Sequence, residues 1–430
     1  MSGPLRVGVA GLGTVGVGVL RLLIVNADVV AARAGRPVVV TAVSARDRAR
    51  DRGVSLARMR WHDDPVTLAS DPDVDVVVEL IGGADGPARA LVEAALTASR
   101  PVVTANKAML AVHGAALARA AEAAGVALAF EAAVAGGIPV IKAVREGLAG
   151  NRISRISGIL NGTCNYILTR MRAEGRGFAE ILADAQRLGY AETDPSFDID
   201  GIDAAHKLAI LAALAFGRPV AFGAVHVEGI RGISALDIGF AGELGYRIKL
   251  LGLAHATPAG ISARVHPALV AEGSPLARVD GVYNAIVTEG DFVGRVMLEG
   301  RGAGAGPTAS AVVADLVDLA RGRATPVWGA AAGALSDAPS VPIADHVGCY
   351  YLRLMVVDRP GVIADVTAVL RDHGVSLESM LQRGRAPGES VPVVLVTHET
   401  REAAMRAALD RIGALNAVLE PPTVLRIEVG

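Results

Sequence analysis

The chain of 430 residues has two cysteines, 3% aromatic residues and four lysines. Cys164 and Cys349 lie far apart and in no metal-ligand spacing, which argues for a reducing, cytoplasmic setting without a structural disulfide. With few aromatics and 52% hydrophobic residues, its cores must be built from small aliphatic side chains. Net charge is −2 with no block of like charge, so neither nucleic acid nor an anionic membrane is expected as a partner. The sequence lacks an uninterrupted apolar run long enough for a membrane helix. It enters an apolar strand at once, without the pattern of a signal peptide. The length suggests about three domains.

The scarcity of lysine is informative. Of 42 basic residues, 38 are arginine; the lysines are Lys107, Lys142, Lys207 and Lys249. A chain that meets its surface charge with arginine keeps lysine where a proton must come and go. Lys207 closes the segment GYAETDPSFDIDGIDAAHK at 189–207, which holds Glu192, Asp194, Asp198, Asp200 and Asp203. Asp194-Pro195 and Asp200-Gly201 are turn chemistry. The apolar, Ala-rich run at 202–216 predicts a buried helix with Asp200 as its N-cap. Asp203 and Lys207, four apart, share a helix face. A capped helix with a solvated ion pair explains only part of this. The remaining acids in the preceding loop point to an acid-lined pocket suited to proton transfer with a polar substrate.

At the start of the chain an apolar strand at 5–10 is followed by GLGTVG at 11–16 and a helical pattern at 15–34. Strand, G-x-G-x-x-G and helix in that order form the dinucleotide-binding context. Gly11 serves the tight turn, Gly13 the approach of the pyrophosphate, and Gly16 close helix packing. The N-terminal turn with Thr14 and Val15 offers free N–H groups to phosphate. The second strand, 38–43, runs into Ser44-Ala45-Arg46-Asp47-Arg48. An acid directly after it would select NAD; its absence, with Arg46 and Arg48 at hand, favours a 2′-phosphate and hence NADP(H), with NAD(H) as the lesser alternative. Strands at 74–81 and 102–104 lead into Gly82-Gly83 and into Thr104-Ala105-Asn106-Lys107, loops that should line the ligand crevice. A helix at 115–124 and a strand at 126–130 precede EAAVAGGIP (131–139). The glutamate and free carbonyls of that turn have the chemistry for a small hard cation, but taken alone the stretch reads better as a plain strand-to-helix turn.

From 152 the alternation changes, marking a second domain. ILNGTCNYIL (159–168) places Asn161, Gly162 and Thr163 at a turn before a helix. A further helix is expected at 174–188, with strands at 225–227, 250–255, 262–267, 284–289 and 293–299. GRGAGAGPTASAVVADLVDLARG (300–322) is a glycine-rich loop feeding a helix at 308–322, expected to return to the cofactor crevice. Residues 329–342 are rich in Ala, Gly and Pro and read as a flexible linker. The order βαββαβ over 349–430 is a ferredoxin-like module without a catalytic constellation.

GLGTVG, TANK, EAAVAGGIP, GILNGTCNYIL and the run with Ala185, Gly189, Asp194-Pro195, Asp198, Gly201, Asp203 and Lys207 closely resemble homoserine dehydrogenases. The tail, with DRPGVIADV at 358–366, resembles an ACT regulatory module. The resemblance implies an α/β fold with a Rossmann-type nucleotide domain (1–135), an α+β catalytic and dimerisation domain (136–328), a linker (329–348) and an ACT domain (349–430). It implies reversible NAD(P)-dependent interconversion of homoserine and aspartate 4-semialdehyde by a homodimer or homotetramer. Lys207 would carry the proton, with Lys107 beside it near the nicotinamide. Glu192, Asp198, Asp203, Gly162, Thr163 and Tyr190 would hold the substrate. Gly11, Gly13, Thr14, Val15, Gly16, Arg46, Gly82, Thr104, Lys107, Gly189 and Gly306 would meet the cofactor. A monovalent cation, sodium or potassium, would sit at Glu131 and the carbonyls of Val134, Gly136 and Ile138. Threonine is the effector the ACT module implies. Phe197 departs from the polar residue of some members. Another amino-acid dehydrogenase would share the glycine motif but not the Asp194–Lys207 spacing. A non-catalytic sensor would have no use for the scarce lysines.

Overall fold

Valine runs buried on both faces build the first sheet, as parallel strands require. Its strands are β1 (Leu5–Ala10), β2 (Val38–Ser44), β3 (Arg60–His62), β4 (Val76–Glu79), β5 (Val102–Thr104) and β6 (Leu128–Ala129). Their order is β3-β2-β1-β4-β5-β6 and every pairing is parallel. The computed structural model describes residues 3–384 and 386–428; the outermost residues of the expected first and last domains, and Arg385, lie outside them. The helix expected at 15–34 is two, α1 (Thr14–Val25) and α2 (Ala27–Ala34), bent by 82° at Asn26. Asn competes for backbone hydrogen bonds and so favours such a break. Among the described residues no single helix is long and apolar enough to cross a membrane. After α3 (Pro87–Thr97) comes α4 (Lys107–Ala124), which starts earlier than expected because the Asn106 side chain accepts from Met109 N at 3.0 Å and caps it. β3 is too short and polar to be read from its pattern.

The second sheet has eleven strands. β7 (Ile153–Ile159), β8 (His226–Val227), β9 (Tyr246–Thr257), β10 (Gly260–Ala271), β11 (Tyr283–Gly290) and β12 (Gly294–Arg301) belong to the middle of the chain. β13 (Val347–Val357), β14 (Leu377–Gln382), β15 (Ser390–Thr397), β16 (Thr400–Arg401) and β17 (Thr423–Glu428) belong to the tail. The path is β12-β11-β7-β9-β10-β17-β13-β15-β14. A short turn, α5 (Val140–Lys142), enters this half. The helix expected after the 161–163 turn is α6 (Gly162–Glu174), and the one expected at 174–188 is α7 (Phe178–Arg187), its start set back by Gly175–Gly177. The four-residue α8 (Ser196–Ile199) precedes the buried α9 (Ile202–Phe216). Asp200 does not cap α9. Gly201 does, at φ 86°, while Asp200 ends α8 and faces outward to pair with Arg231. α10 (Ala235–Glu243) and α11 (Ala305–Ala320) complete the middle of the chain, and α11 packs on α1. A Cβ on Gly18 of α1 would lie 2.7 Å from Ala305 O, so glycine permits this approach.

In the tail, α12 (Val362–Asp372) and α13 (Glu402–Gly413) complete the ferredoxin-like order. The module is not loosely tethered. β17 pairs in parallel with β10 and antiparallel with β13, so one sheet runs through both parts. The segment read as a free linker is hydrogen-bonded to the body: Ser336 N donates to Gly217 O at 2.6 Å, Ile261 N to Pro339 O at 2.8 Å, and Val341 N to Ile261 O at 2.9 Å. The seam buries charge. Arg264 meets Glu428 at 2.7 Å, and Arg426 meets Glu402 at 2.6 Å and Glu228 at 2.8 Å.

Candidate active site

At the carboxyl end of β1, Gly11 adopts φ 96°, and a Cβ there would lie 2.4 Å from Leu80 O. Only glycine makes this turn. Gly16 likewise has no room, its Cβ position being 2.0 Å from Gly11 O, whereas Gly13 faces open space. Above the turn is a cavity of about 620 Å³, lined among others by Gly13, Thr14, Arg21, Arg50, Arg52 and Gly306. Gly306, distant in sequence, thus joins the glycine turn, as expected of the 300–322 loop. Arg46 stands exposed after β2 and is not part of that lining. The guanidinia of Arg48 and Arg52 lie 5.9 and 5.6 Å from the Trp61 ring. Glu79, fully buried at the end of β4, was not singled out from the sequence. It accepts from Ile81 N at 2.7 Å, Gly82 N at 3.0 Å and Thr104 Oγ1 at 2.6 Å, and so fixes both crevice loops. A lone acid closing a valine strand was the available signal.

Across the crevice, Lys207 Nζ donates to Asp203 Oδ2 at 2.7 Å and to Leu160 O at 2.7 Å. Lys107 Nζ lies 3.0 Å from the other oxygen of Asp203. Asn161 Nδ2 donates to Asp203 Oδ2 and to Asp198 Oδ1, both at 2.8 Å, while its Oδ1 caps α6 through Cys164 N at 2.8 Å. Asn161 therefore organises the centre with its side chain, a role its place in the turn did not disclose. Burial alone would push Asp203 up, but Lys207 and then Lys107 outweigh it and hold the carboxyl well below its usual range. Asp198 goes the other way, raised by burial and by Asp203. Burial disfavours charge on Lys107, yet Asp203, Asp198 and Glu192 more than restore it, so the amine sits above its ordinary value. The surroundings thus keep Lys107 protonated.

The other expected residues gather at the rim. Thr163 Oγ1 donates to Tyr190 O at 2.8 Å, and the Tyr190 ring lies 4.8 Å from that of Tyr166. Gly162 begins α6 beside Asn161. Phe197 lies with its ring 5.6 Å from Lys107 Nζ, so the position that departs from the family pattern touches the centre. Glu192 and Gly189 are exposed in the loop before α8.

Glu131, 1% exposed, accepts from Ile141 N at 2.9 Å and Lys142 N at 2.8 Å. Burial, then the charge of Asp315, push its carboxyl up to about 7. Val134, Gly136 and Ile138 are close by in the chain, in a turn where Ala135 and Gly136 both take positive φ, 56° and 49°. Each oxygen of Glu131 receives one N–H and retains a lone pair. Among the described residues there is no cluster of three His, Cys, Asp or Glu side chains that would suit a transition metal. Glu131 is the one carboxylate of this turn, and a hard cation would take oxygen ligands of that kind.

A glycine turn on a parallel sheet, facing a lysine–carboxylate centre, defines a dinucleotide-dependent oxidoreductase. The profile for the homoserine dehydrogenase NAD-binding domain matches residues 11–131, that for homoserine dehydrogenase 139–317, and that for the ACT domain 350–416. The homoserine dehydrogenase of Pseudomonas aeruginosa is 46% identical over 99% of each chain. The crystal structure of a homoserine dehydrogenase from Thiobacillus denitrificans superposes with a TM-score of 0.94, at 46% identity, over 100% of both chains. A hyperthermophilic archaeal homoserine dehydrogenase in complex with NADPH matches 73% of this chain and 97% of its own, with a TM-score of 0.63 and 25% identity. The chain belongs to the homoserine dehydrogenase family.

Proposed function

We propose that the chain interconverts L-homoserine and L-aspartate 4-semialdehyde in the cytoplasm, with NADP(H) preferred over NAD(H). The observation that carries this reading is the meeting of Lys107, from the nucleotide domain, and Lys207, from the catalytic domain, on one carboxylate. The nicotinamide, when bound, supplies the hydride to the aldehyde carbon or takes it back. Lys207 gives a proton to the oxygen that gains negative charge in reduction and removes it in oxidation. Lys107 stands by that oxygen as a second donor. Asp203 holds both ammonium groups in place, and Asn161 holds Asp203. The substrate's ammonium goes to Glu192 and Asp198. Its carboxylate goes to the N–H groups of Gly162 and Thr163 at the start of α6, with Tyr190 closing the rim.

Gly11, Gly13, Thr14, Val15, Gly16 and Gly306 take the pyrophosphate side of the nucleotide. Arg46 serves the 2′-phosphate, and Gly82, Thr104 and Gly189 the reactive end. That an archaeal relative was solved with NADPH supports this preference. Glu131, with the carbonyls of Val134, Gly136 and Ile138, would hold sodium or potassium and brace the turn against the 302 loop. The ACT domain is read as a threonine-responsive regulator of a homodimer or homotetramer, since homoserine leads to threonine. The domain limits at 135, 328 and 348 are part of the same proposal.

The test is NADPH consumption with aspartate semialdehyde by the full chain, repeated with NADH and with threonine, methionine or isoleucine added. Turnover faster with NADPH and inhibited only by threonine supports the whole reading. No turnover with either nicotinamide leaves a nucleotide-binding sensor, and indifference to millimolar-range threonine removes the regulatory part alone.

A further inference from the structure

Asn284, the second residue of β11, is 1% exposed and has no hydrogen-bond partner among the described residues for either Oδ1 or Nδ2. Buried amides are paired almost without exception, because an unpaired one forfeits its bonds to water. Asn284 lies between two loops assigned above to ligands. On one side, a Cβ at Gly302 would fall 2.2 Å from Asn284 Cγ, so the amide lies against the bare α-carbon of the glycine-rich loop leading to Gly306. On the other, a Cβ at Gly162 would fall 3.4 Å from Asn284 Oδ1. The same 302 loop touches the cation turn, for a Cβ at Gly136 would lie 2.5 Å from Gly302 O.

We propose that Asn284 is a positioning residue whose amide finds its partners only in the ligand-bound enzyme, when the main chain of the 302–304 loop and the Gly162 turn settle around nucleotide and substrate. Nδ2 then donates to a loop carbonyl and Oδ1 accepts a loop N–H. The free enzyme carries the unpaired group, and ligand binding relieves it. Interactions completed only on binding hold reacting groups in place. The inference rests on the functional reading of Gly162 and Gly306.

Asn284→Leu keeps shape and removes polarity. We expect its melting temperature without ligand to equal or exceed that of the wild type. The rise in melting temperature produced by NADPH should shrink by about half or more, and kcat/KM should fall at least about tenfold. A lower melting temperature without ligand would show that the amide is already paired in the free protein and would overturn the proposal. So would an unchanged NADPH-induced rise with unchanged kcat/KM. Should leucine prove too bulky to fold, Asn284→Ala is judged on the NADPH-induced rise and kcat/KM alone, because the cavity it leaves lowers the melting temperature by itself. The wild-type assay tests the functional reading separately, because the melting comparison requires only nucleotide binding.

Discussion

Lys107 opens the longest helix of the nucleotide-binding half and Asp203 lies in the first turn of the central helix of the other half, yet their charged atoms are 3.0 Å apart. The cleft is thus bridged by charge. Asp203 is fully desolvated and bears two ammonium groups, an arrangement that is costly to break by removing one partner.

Lys207→Arg preserves the charge opposite Asp203 but gives up a side chain that can exchange its proton. Turnover should fall by at least about a hundredfold, the scale of lost general acid–base help. Steady-state rates of the folded variant decide this. Near-normal kcat would remove Lys207 from the chemistry.

Selection for NADPH is assigned to Arg46, on the missing acid after β2. Arg46→Ala should lower the ratio of kcat/KM for NADPH to that for NADH by about tenfold or more, the worth of one charged hydrogen bond. An unchanged ratio would pass the role to Arg50 and Arg52, which line the cavity where Arg46 does not.

The cation reading predicts that activity in a buffer of bulky organic cations rises when sodium or potassium is added. In Glu131→Gln the half-saturating concentration should rise at least about tenfold. A wild type indifferent to both ions would leave Glu131 as a cap for Ile141 and Lys142 only.

Glu428 ties β17 to the catalytic half. Burial pushes its carboxyl up, but His266 and Arg264 prevail and hold it below the ordinary 4.5. A depressed carboxyl contributes stability that is present above its unfolded value and lost as pH falls toward the folded one. Glu428→Gln should therefore cost about 3–5 kcal/mol at neutral pH by leaving Arg264 unpaired. Its melting temperature should change less than the wild type's between about pH 5 and pH 3. Equal acid slopes would show that Glu428 is not part of the acid response. The same seam makes truncation near residue 345 a poor test of regulation, because it strips β10 of its neighbour.

The first sheet was legible because valine runs and the G-x-G-x-x-G turn are local signals. Lys107, Asp203 and Lys207 were legible because residue type and spacing carried them. Asn161 was placed only as turn backbone, since nothing local says that its amide will span two acids brought in by other elements. The role of Glu79 carries no local signal for the same reason: its partners lie in two loops. The bend at Asn26 was lost in a continuous apolar pattern. The joining of β17 to β10 is not legible in the sequence, because a parallel pairing across so long a separation leaves no periodic trace.

That joining also sets the order of assembly. β17 lies between β10 and β13, so the sheet is incomplete until residues 423–428 have left the ribosome. Until then the nascent chain presents residues 268–270 of β10 as an open edge, with Arg264 and His266 lacking Glu428, the kind of surface on which neighbouring nascent chains aggregate. Synthesis that stops short of 423 yields a body whose largest sheet is left in two pieces, even though every residue of the lysine centre has already been made.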